Sequence, residues 1–267
     1  MNRLDSNAPR KKRDRRFSGS AQKALAVLES FAKHRGPLTI DEIAQAARMA
    51  RATVQRYAYT LERMGYLARV PATRDWVLTS RSLNIAYSYL SAHNLLESIT
   101  THLVDLNQAC REAVNLSERD DRDMITVASF PSATAAGLIQ APMGRRVPLL
   151  GSAVGFAYLL ALPPDEVQQL LLRSWRQGIA LQDTADPLQV LAHVQAAREA
   201  GYASSEDTSY SGTLVIAAPV VGRDNRPQAV LDISVPRSRW TLPELRSALA
   251  PVLLAASHAA GRANPTA

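Results

Sequence analysis

Residues 39–79 read TIDEIAQAARMARATVQRYAYTLERMGYLARVPATRDWVLT, and their pattern decides the N-terminal fold. Ile40 to Ala46 is a short amphipathic stretch, followed by a tight polar connection at Arg48 to Ala50. Arg51 to Met64 then places Val54, Tyr57, Leu61 and Met64 at helical spacing, with most of its polar residues on the other side. Gly65 is a C′ stop. The strings YLARV and DWVLT favour strands, and PATR joins them into a two-stranded ribbon. Two short helices, a tight turn and a ribbon predict a winged helix-turn-helix whose second helix is slim enough for a DNA major groove.

Charge supports that reading. Residues 1–80 hold sixteen Lys plus Arg against seven Asp plus Glu, whereas the other 187 residues hold fifteen against seventeen. So uneven a distribution implies a polyanion-binding module joined to a body with another task. The competing account is a small helical bundle with a solvated basic face. Within Arg10 to Arg16, six of seven residues are basic, and this stretch either follows DNA phosphates or serves as a solubilising tail.

On the reading helix, Arg51, Ala52, Thr53, Gln55 and Arg56 are the candidates for base contact. Guanidinium and amide groups form paired hydrogen bonds to base edges, and Ala52 and the Thr53 methyl suit a thymine methyl. Thr39, with Glu42 three residues on, predicts a capping box at a helix start that can hold a phosphate. Arg69 and Arg74, near the ribbon tip, suit phosphate or minor-groove contact. Tyr57 and Leu61 are read as core. Upstream, Ser20 is expected to cap a helix running to about Lys33, with Ala24, Leu25, Leu28 and Phe31 buried.

The length of 267 residues and the 46% hydrophobic content predict two domains. The single cysteine, Cys110, cannot form an internal disulfide, and a cytoplasmic setting follows. The five histidines show no ligand spacing, so neither a metal nor any other cofactor is expected. No apolar run is of membrane-spanning length, and the N-terminus lacks the apolar core of a signal peptide.

Leu83, Ala86, Tyr87 and Leu90 form an apolar stripe on a connecting helix, 81–93, that suits pairing with a second copy, although packing within the chain remains open. Leu95 or Leu96, Ile99, Leu103, Leu106 and Cys110 predict the opening helix of the next domain. Beyond Glu112 the pattern is α+β. AVNLS and MITVASF are strands separated by the charged turn ERDDRD, and AAGLIQ is a further strand candidate. Ser152 starts an apolar helix that Pro163 ends, and Asp165 to Leu172 and Leu188 to Ala200 are helices. TLVIAAPVV and QAVLDISV make a hairpin, and a last helix, capped by Thr241 and Glu244, is kinked by Pro251. A mixed or antiparallel sheet flanked by helices fits this order.

Ser205, Glu206 and Asp207 are read as a loop cluster. Asp232 and Ser234 share one face of a strand, opposite Leu231, Ile233 and Val235. No nucleophile elbow, P-loop, zinc-protease motif or dinucleotide fingerprint is present, so no catalytic residue is assigned. A small-molecule sensing pocket suits this body better than an enzyme with a regulatory basic domain, or a structural DNA-binding protein with a ligand-free body.

Residues 20–262 resemble the IclR family of bacterial transcriptional regulators. The resemblance lies in SAQKALAVLESF, the stretch from Thr39 to Leu67, WVLTSRSLNIAYSYL, GRRVPLLGSAVGFAYLLAL, and the run from Ala196 to Pro236, all in family order. The LTSRSLNIAYSYL stretch most resembles the branch controlling catabolism of aromatic acids. After the basic tail over 1–19, the resemblance implies an α+β chain with a winged helix-turn-helix over 20–80, a linking helix over 81–93 and a GAF-like effector domain over 94–262. It implies a cytoplasmic homodimer or dimer of dimers. Such a protein binds palindromic duplex operators, and a small effector, aromatic if the branch resemblance holds, alters operator binding or recruitment of RNA polymerase. Carried over position by position, the effector residues are Ala153, Val154, Ser205, Val215, Asp232 and Ser234, with Met143 beside them. This chain departs from the family at Phe156, where a lysine is common after the glycine, and at Asp232, where small or hydroxyl residues are common.

Overall fold

The structure, a computed structural model, describes residues 16–34, 36–133, 142–176, 186–206 and 212–263. The chain divides into two compact units between Tyr89 and Leu90.

The first unit is built from α1 (Gly19–Glu29), a 3-10 turn (Ser30–Lys33), α2 (Ile40–Ala46), α3 (Arg51–Arg63) and a ribbon of β1 (Leu67–Arg69) with β2 (Trp76–Leu78). Val27, Phe31, Leu38, Ile43, Val54, Ala58, Leu61, Leu67 and Trp76 close one core among these elements. Ser18, not Ser20, caps α1, and its hydroxyl accepts from the Ala21 amide. The buried side of α1 is centred on Val27, and Leu25 is exposed. The run ALAVL is apolar all round, so its periodicity does not select a face. Met64 is exposed as well, because α3 ends at Arg63 and the chain turns away at Gly65, where φ is +79°. Between α2 and α3 the turn passes through Arg48 at φ +52°. Leu38 and Trp76 exchange backbone hydrogen bonds of 2.9 and 2.8 Å, tying the ribbon to the residue before the α2 cap.

After a 3-10 turn (Ser80–Ser82), α4 (Leu83–Ser91) runs across the division between the units and buries none of its side chains.

Among the described residues the second unit holds one six-stranded sheet in the order β5 (Arg146–Pro148), β4 (Asp123–Phe130), β3 (Ala113–Asp120), β8 (Pro227–Pro236), β7 (Thr213–Val221), β6 (Ala203–Glu206). Every pairing among the described residues is antiparallel, one of the two arrangements expected. The charged stretch after Ser117 is mostly strand. β3 continues to Asp120 and β4 begins at Asp123, so the turn is Asp121-Arg122, with Asp121 at φ +52°. Its charged side chains sit at the sheet's end, where Arg146 pairs with Asp120 and Asp123, each at 2.8 Å. The candidate strand AAGLIQ lies outside the described residues.

Strand alternation sorts the sheet into two faces. Val114, Leu116, Leu214, Ile216, Leu231, Ile233 and Val235 pack against α5 (Asn94–Cys110) and α9 (Leu242–Ala263). Val215, Ala217 and Val230 pack against α6 (Ala153–Leu160), α7 (Pro164–Arg176) and α8 (Pro187–Ala200). Ser152 caps α6, Asp186 caps α8 with Pro187 in the first turn, and Thr241 with Glu244 forms the box at the start of α9. Helix α9 continues through Pro251. Pro219 lies in β7 beyond the span of β6, whose first residue, Ala203, pairs with Ala217, so on that side no ladder partner needs an amide from it.

Gly155 sets how closely α6 approaches the sheet's end, because any β-carbon there would collide with the Leu149 carbonyl. Gly155→Ala is expected to lower unfolding free energy by about 1–3 kcal/mol, as overpacking does. Urea unfolding followed by far-UV circular dichroism checks this, and an unchanged midpoint would show that α6 is free to shift.

Candidate DNA-reading surface and effector pocket

The reading surface starts with a cap. The Thr39 hydroxyl accepts from the Glu42 amide at 3.2 Å, while the Glu42 carboxylate accepts from the Thr39 amide at 2.7 Å. These bonds hold the Glu42 carboxyl below its ordinary pKa, chiefly through the Thr39 amide. Thr39 therefore spends its own N–H and hydroxyl on the helix start rather than offering them outward.

Helix α3 begins at Ala50 without a side-chain cap. Val54, Ala58 and Leu61 hold it on the core, which leaves Arg51, Ala52, Gln55 and Arg56 exposed and Thr53 partly so. A groove of about 350 Å3 runs beside it, lined by Thr39, Ile40, Asp41, Arg51, Gln55, Arg69, Arg74, Asp75 and Trp76. Five sequence-predicted residues meet there: Thr39, Arg51, Gln55, Arg69 and Arg74. Ala52, Thr53 and Arg56 lie outside its lining, and the Arg56 guanidinium sits over the Tyr57 ring at 5.5 Å.

The two ribbon arginines differ. Arg74 is exposed at φ +65° at the tip, whereas Arg69 stacks on Trp76 at 4.1 Å and lies 3.7 Å from Glu62. Sequence reasoning did not single out Asp41, Asp75 or Trp76. Trp76 was legible as a large apolar residue in a short strand; the two acids gave no signal, since carboxylates are not expected on a phosphate-facing groove.

In the second unit, Ala153, Val154, Ser205, Val215, Asp232 and Ser234 line one pocket, joined by Arg145, Val147, Gly151, Ser152 and Glu206. Met143 does not line it and is exposed. Ser205 and Glu206 lie on strand β6 rather than in a loop, and Asp207 is outside the described residues. Phe156 is buried in the helix layer with its ring stacked on His193, centroids 5.0 Å apart. The family's amine is replaced here by aromatic packing between α6 and α8.

Asp232 is 4% exposed and does not face water. Its Oδ2 accepts from Asn115 Nδ2 at 2.8 Å and from Ser234 Oγ at 3.1 Å, and Asn115 Oδ1 accepts from Ser129 Oγ at 2.8 Å. A row of four polar side chains thus crosses β4, β3 and β8 on one face. Asn115 was missed, although alternation in AVNLS places it opposite Val114 and Leu116. The pocket encloses about 20 Å3, room for roughly one water.

Two family models match this chain: the IclR helix-turn-helix domain over residues 20–71, and the C-terminal domain of bacterial transcriptional regulators of the IclR type over residues 87–260. The chain belongs to the IclR family. It is a bacterial transcriptional regulator with a DNA-binding head, not an enzyme. The Pca regulon regulatory protein of Pseudomonas putida is 28% identical over 243 residues, covering 90% of this chain and 82% of that one. The crystal structure of a transcriptional regulator from Rhodococcus sp. RHA1 superposes with a TM-score of 0.72 at 28% identity, covering 94% and 99%. An IclR homolog from Microbacterium hydrocarbonoxydans, solved in complex with 4-hydroxybenzoate, shares the fold with a TM-score of 0.69 at 19% identity, covering 92% and 99%. Among the described residues, no helix is long and apolar enough to cross a membrane.

The polar row makes a separate prediction about folding. Asn115→Leu deprives a buried carboxylate of a donor and is expected to cost about 1–3 kcal/mol. Adding Asp232→Leu should return much of that loss, since both partners are then apolar. A double-mutant cycle by urea unfolding measures the coupling, and strictly additive losses would contradict it.

Proposed function

We propose that this protein is an effector-responsive regulator of a catabolic operon that reads a palindromic promoter site as a dimer or a dimer of dimers. Residues 20–80 act as the reading head, 81–93 as the link and 94–262 as the effector domain, with 1–19 as a basic tail. The observation that carries the DNA assignment is the exposed first turn of α3, with Arg51 and Gln55 in one groove with ribbon Arg74. Guanidinium and amide forks read purine edges in the major groove, and Arg74 suits a phosphate. Ala52, Thr53 and Arg56 complete the base-facing set, with Thr39 and Arg69 at its border.

Duplication of the head is supported by α4. Of the expected stripe, Leu83, Ala86 and Tyr87 are exposed on one side of the helix, an apolar surface of the kind that a second copy covers, while Leu90 packs against the core of the second unit. Two heads on one symmetric operator supply the specificity that one small module lacks.

The effector pocket is the one containing Asp232. A buried carboxylate repels the carboxylate of a small dicarboxylic or keto acid through charge and desolvation. It accepts a phenol, an amide or a cation, or an aromatic acid whose own carboxylate is directed elsewhere. The 4-hydroxybenzoate bound to the Microbacterium homolog supports an aromatic effector. Ligand entry requires the pocket to open, since the volume enclosed is far below that of an aromatic ring.

Two measurements test this reading. Gln55→Ala or Arg56→Ala is expected to cost about 1–3 kcal/mol at individual operator base pairs, while neutralising Arg10 to Arg16 weakens all duplexes and flattens the salt dependence. Operator binding indifferent to both changes would place the reading surface elsewhere. Calorimetric titration of the wild type and Asp232→Asn with phenolic acids and keto acids tests the pocket. Phenolic ligands should bind the wild type, and the Asn form should gain roughly tenfold for keto acids, the equivalent of one pKa unit of charge interaction. Tight keto-acid binding to the wild type, with no gain in the variant, would defeat the effector assignment.

A further inference from the structure

Asp41 stands in the first turn of α2 and forms an ion pair with Arg51, the first residue of α3. Both side chains are well exposed, at 68% and 60%. An exposed pair of this kind contributes little to stability. A carboxylate on a surface that approaches DNA also repels phosphates, so affinity does not explain it either. Its consequence is geometric. The Asp41 carboxylate accepts from Arg51 Nη1, and Arg51 makes no other hydrogen bond or ion pair among the described residues. The Nε–Nη2 edge is therefore left for an outside partner, on a side chain whose rotation is already restrained.

The restraint has its own foundation. The Thr39–Glu42 capping box fixes the start of α2, and the Leu38–Trp76 bridge ties that start to the ribbon. Asp41 is thus a fixed post, one helix away from the guanidinium it holds. A free arginine loses much rotamer entropy when it is ordered against a base, whereas one held in advance has less to lose. Among base edges in the major groove, guanine alone offers two acceptors, O6 and N7, that match two parallel N–H groups.

We propose that Asp41 is a positioning residue that aims Arg51 at a guanine in each half-site. The inference rests on the reading that α3 faces DNA. Selection of duplexes from a randomised library by the full-length chain, followed by sequencing, tests it with Asp41→Asn and Arg51→Lys. Asparagine keeps the size of aspartate and removes its charge, and the thermal midpoint should stay close to that of the wild type. The wild type should select guanine at one position of each half-site. Both variants should lose roughly tenfold in discrimination at that position alone, while overall affinity of Asp41→Asn holds or rises with the carboxylate gone.

Retention of the guanine preference by Asp41→Asn would overturn the proposal, leaving the pair as a surface contact. Equal loss at every position would overturn it too, because a structural role would blur the whole site. A wild type that selects sequence but shows no guanine linked to Arg51 would likewise sink it without touching the DNA reading. Selection of no common sequence by the wild type would instead overturn the DNA reading itself.

Discussion

The antiparallel pairing of β3 with β8 is the constraint on which the effector domain depends. The sheet order β5-β4-β3-β8-β7-β6 joins two local groups of strands, and β3–β8 is the single seam between them. The seam brings Asn115 opposite Asp232, residues separated by 117 positions. A slip of one residue would turn Leu231, Ile233 and Val235 from the α5–α9 layer into the α6–α8 layer, and Asp232 into an apolar core. The polar row and the apolar core therefore specify the same register from opposite faces. Two buried side chains that must find each other help to exclude every register but one.

Seen from this seam, what the amino-acid pattern reveals and what it conceals have physical reasons. The alternation in QAVLDISV showed which side chains share a face with Asp232, because a strand has only two faces. The long apolar hairpin was visible for the same reason. Helix α1 defeated the same approach, since ALAVL is apolar at five consecutive positions and offers no polar side to define the other. The stretch ERDDRD misled because charge is common in turns, whereas here Glu118, Arg119, Asp120 and Asp123 are strand residues and only Asp121-Arg122 makes the corner. Of the positions proposed for the effector, those on strands and on α6 line one pocket. Met143 belongs to the approach to β5 and remains at the surface. Arg145, two residues later, reaches the pocket, a distinction that spacing alone cannot make.

The reading head shows a different kind of limit. Its positive charge and its helix periods were legible along the chain, but the ordering of its arginines is tertiary. Arg69 stacks on Trp76 beside Glu62, Arg56 lies over Tyr57, and Arg51 is paired with Asp41. Charge counting treats these three guanidinium groups as equivalent. Their surroundings make them unequal: one is built into the ribbon, one leans on its own helix, and one is held by an acid from the neighbouring helix. A DNA surface needs both the field, which any arginine supplies, and the aim, which only neighbours supply.

The proposed effector pocket sets terms for its ligand. With about 20 Å3 enclosed, an aromatic ligand would require an open form, and the apparent affinity would fall by the fraction of molecules that are open. Asn115 and Ser234 already donate to Asp232 Oδ2, so a ligand gains only where it adds a donor or displaces one of these without leaving a buried oxygen unpaired. A ligand that merely fills apolar space can stabilise the domain, yet it shifts the regulator only if it favours one arrangement over the other. Under the proposed assignment, a donor-bearing ligand is told from a purely apolar one at Asp232, where two existing hydrogen bonds must be matched.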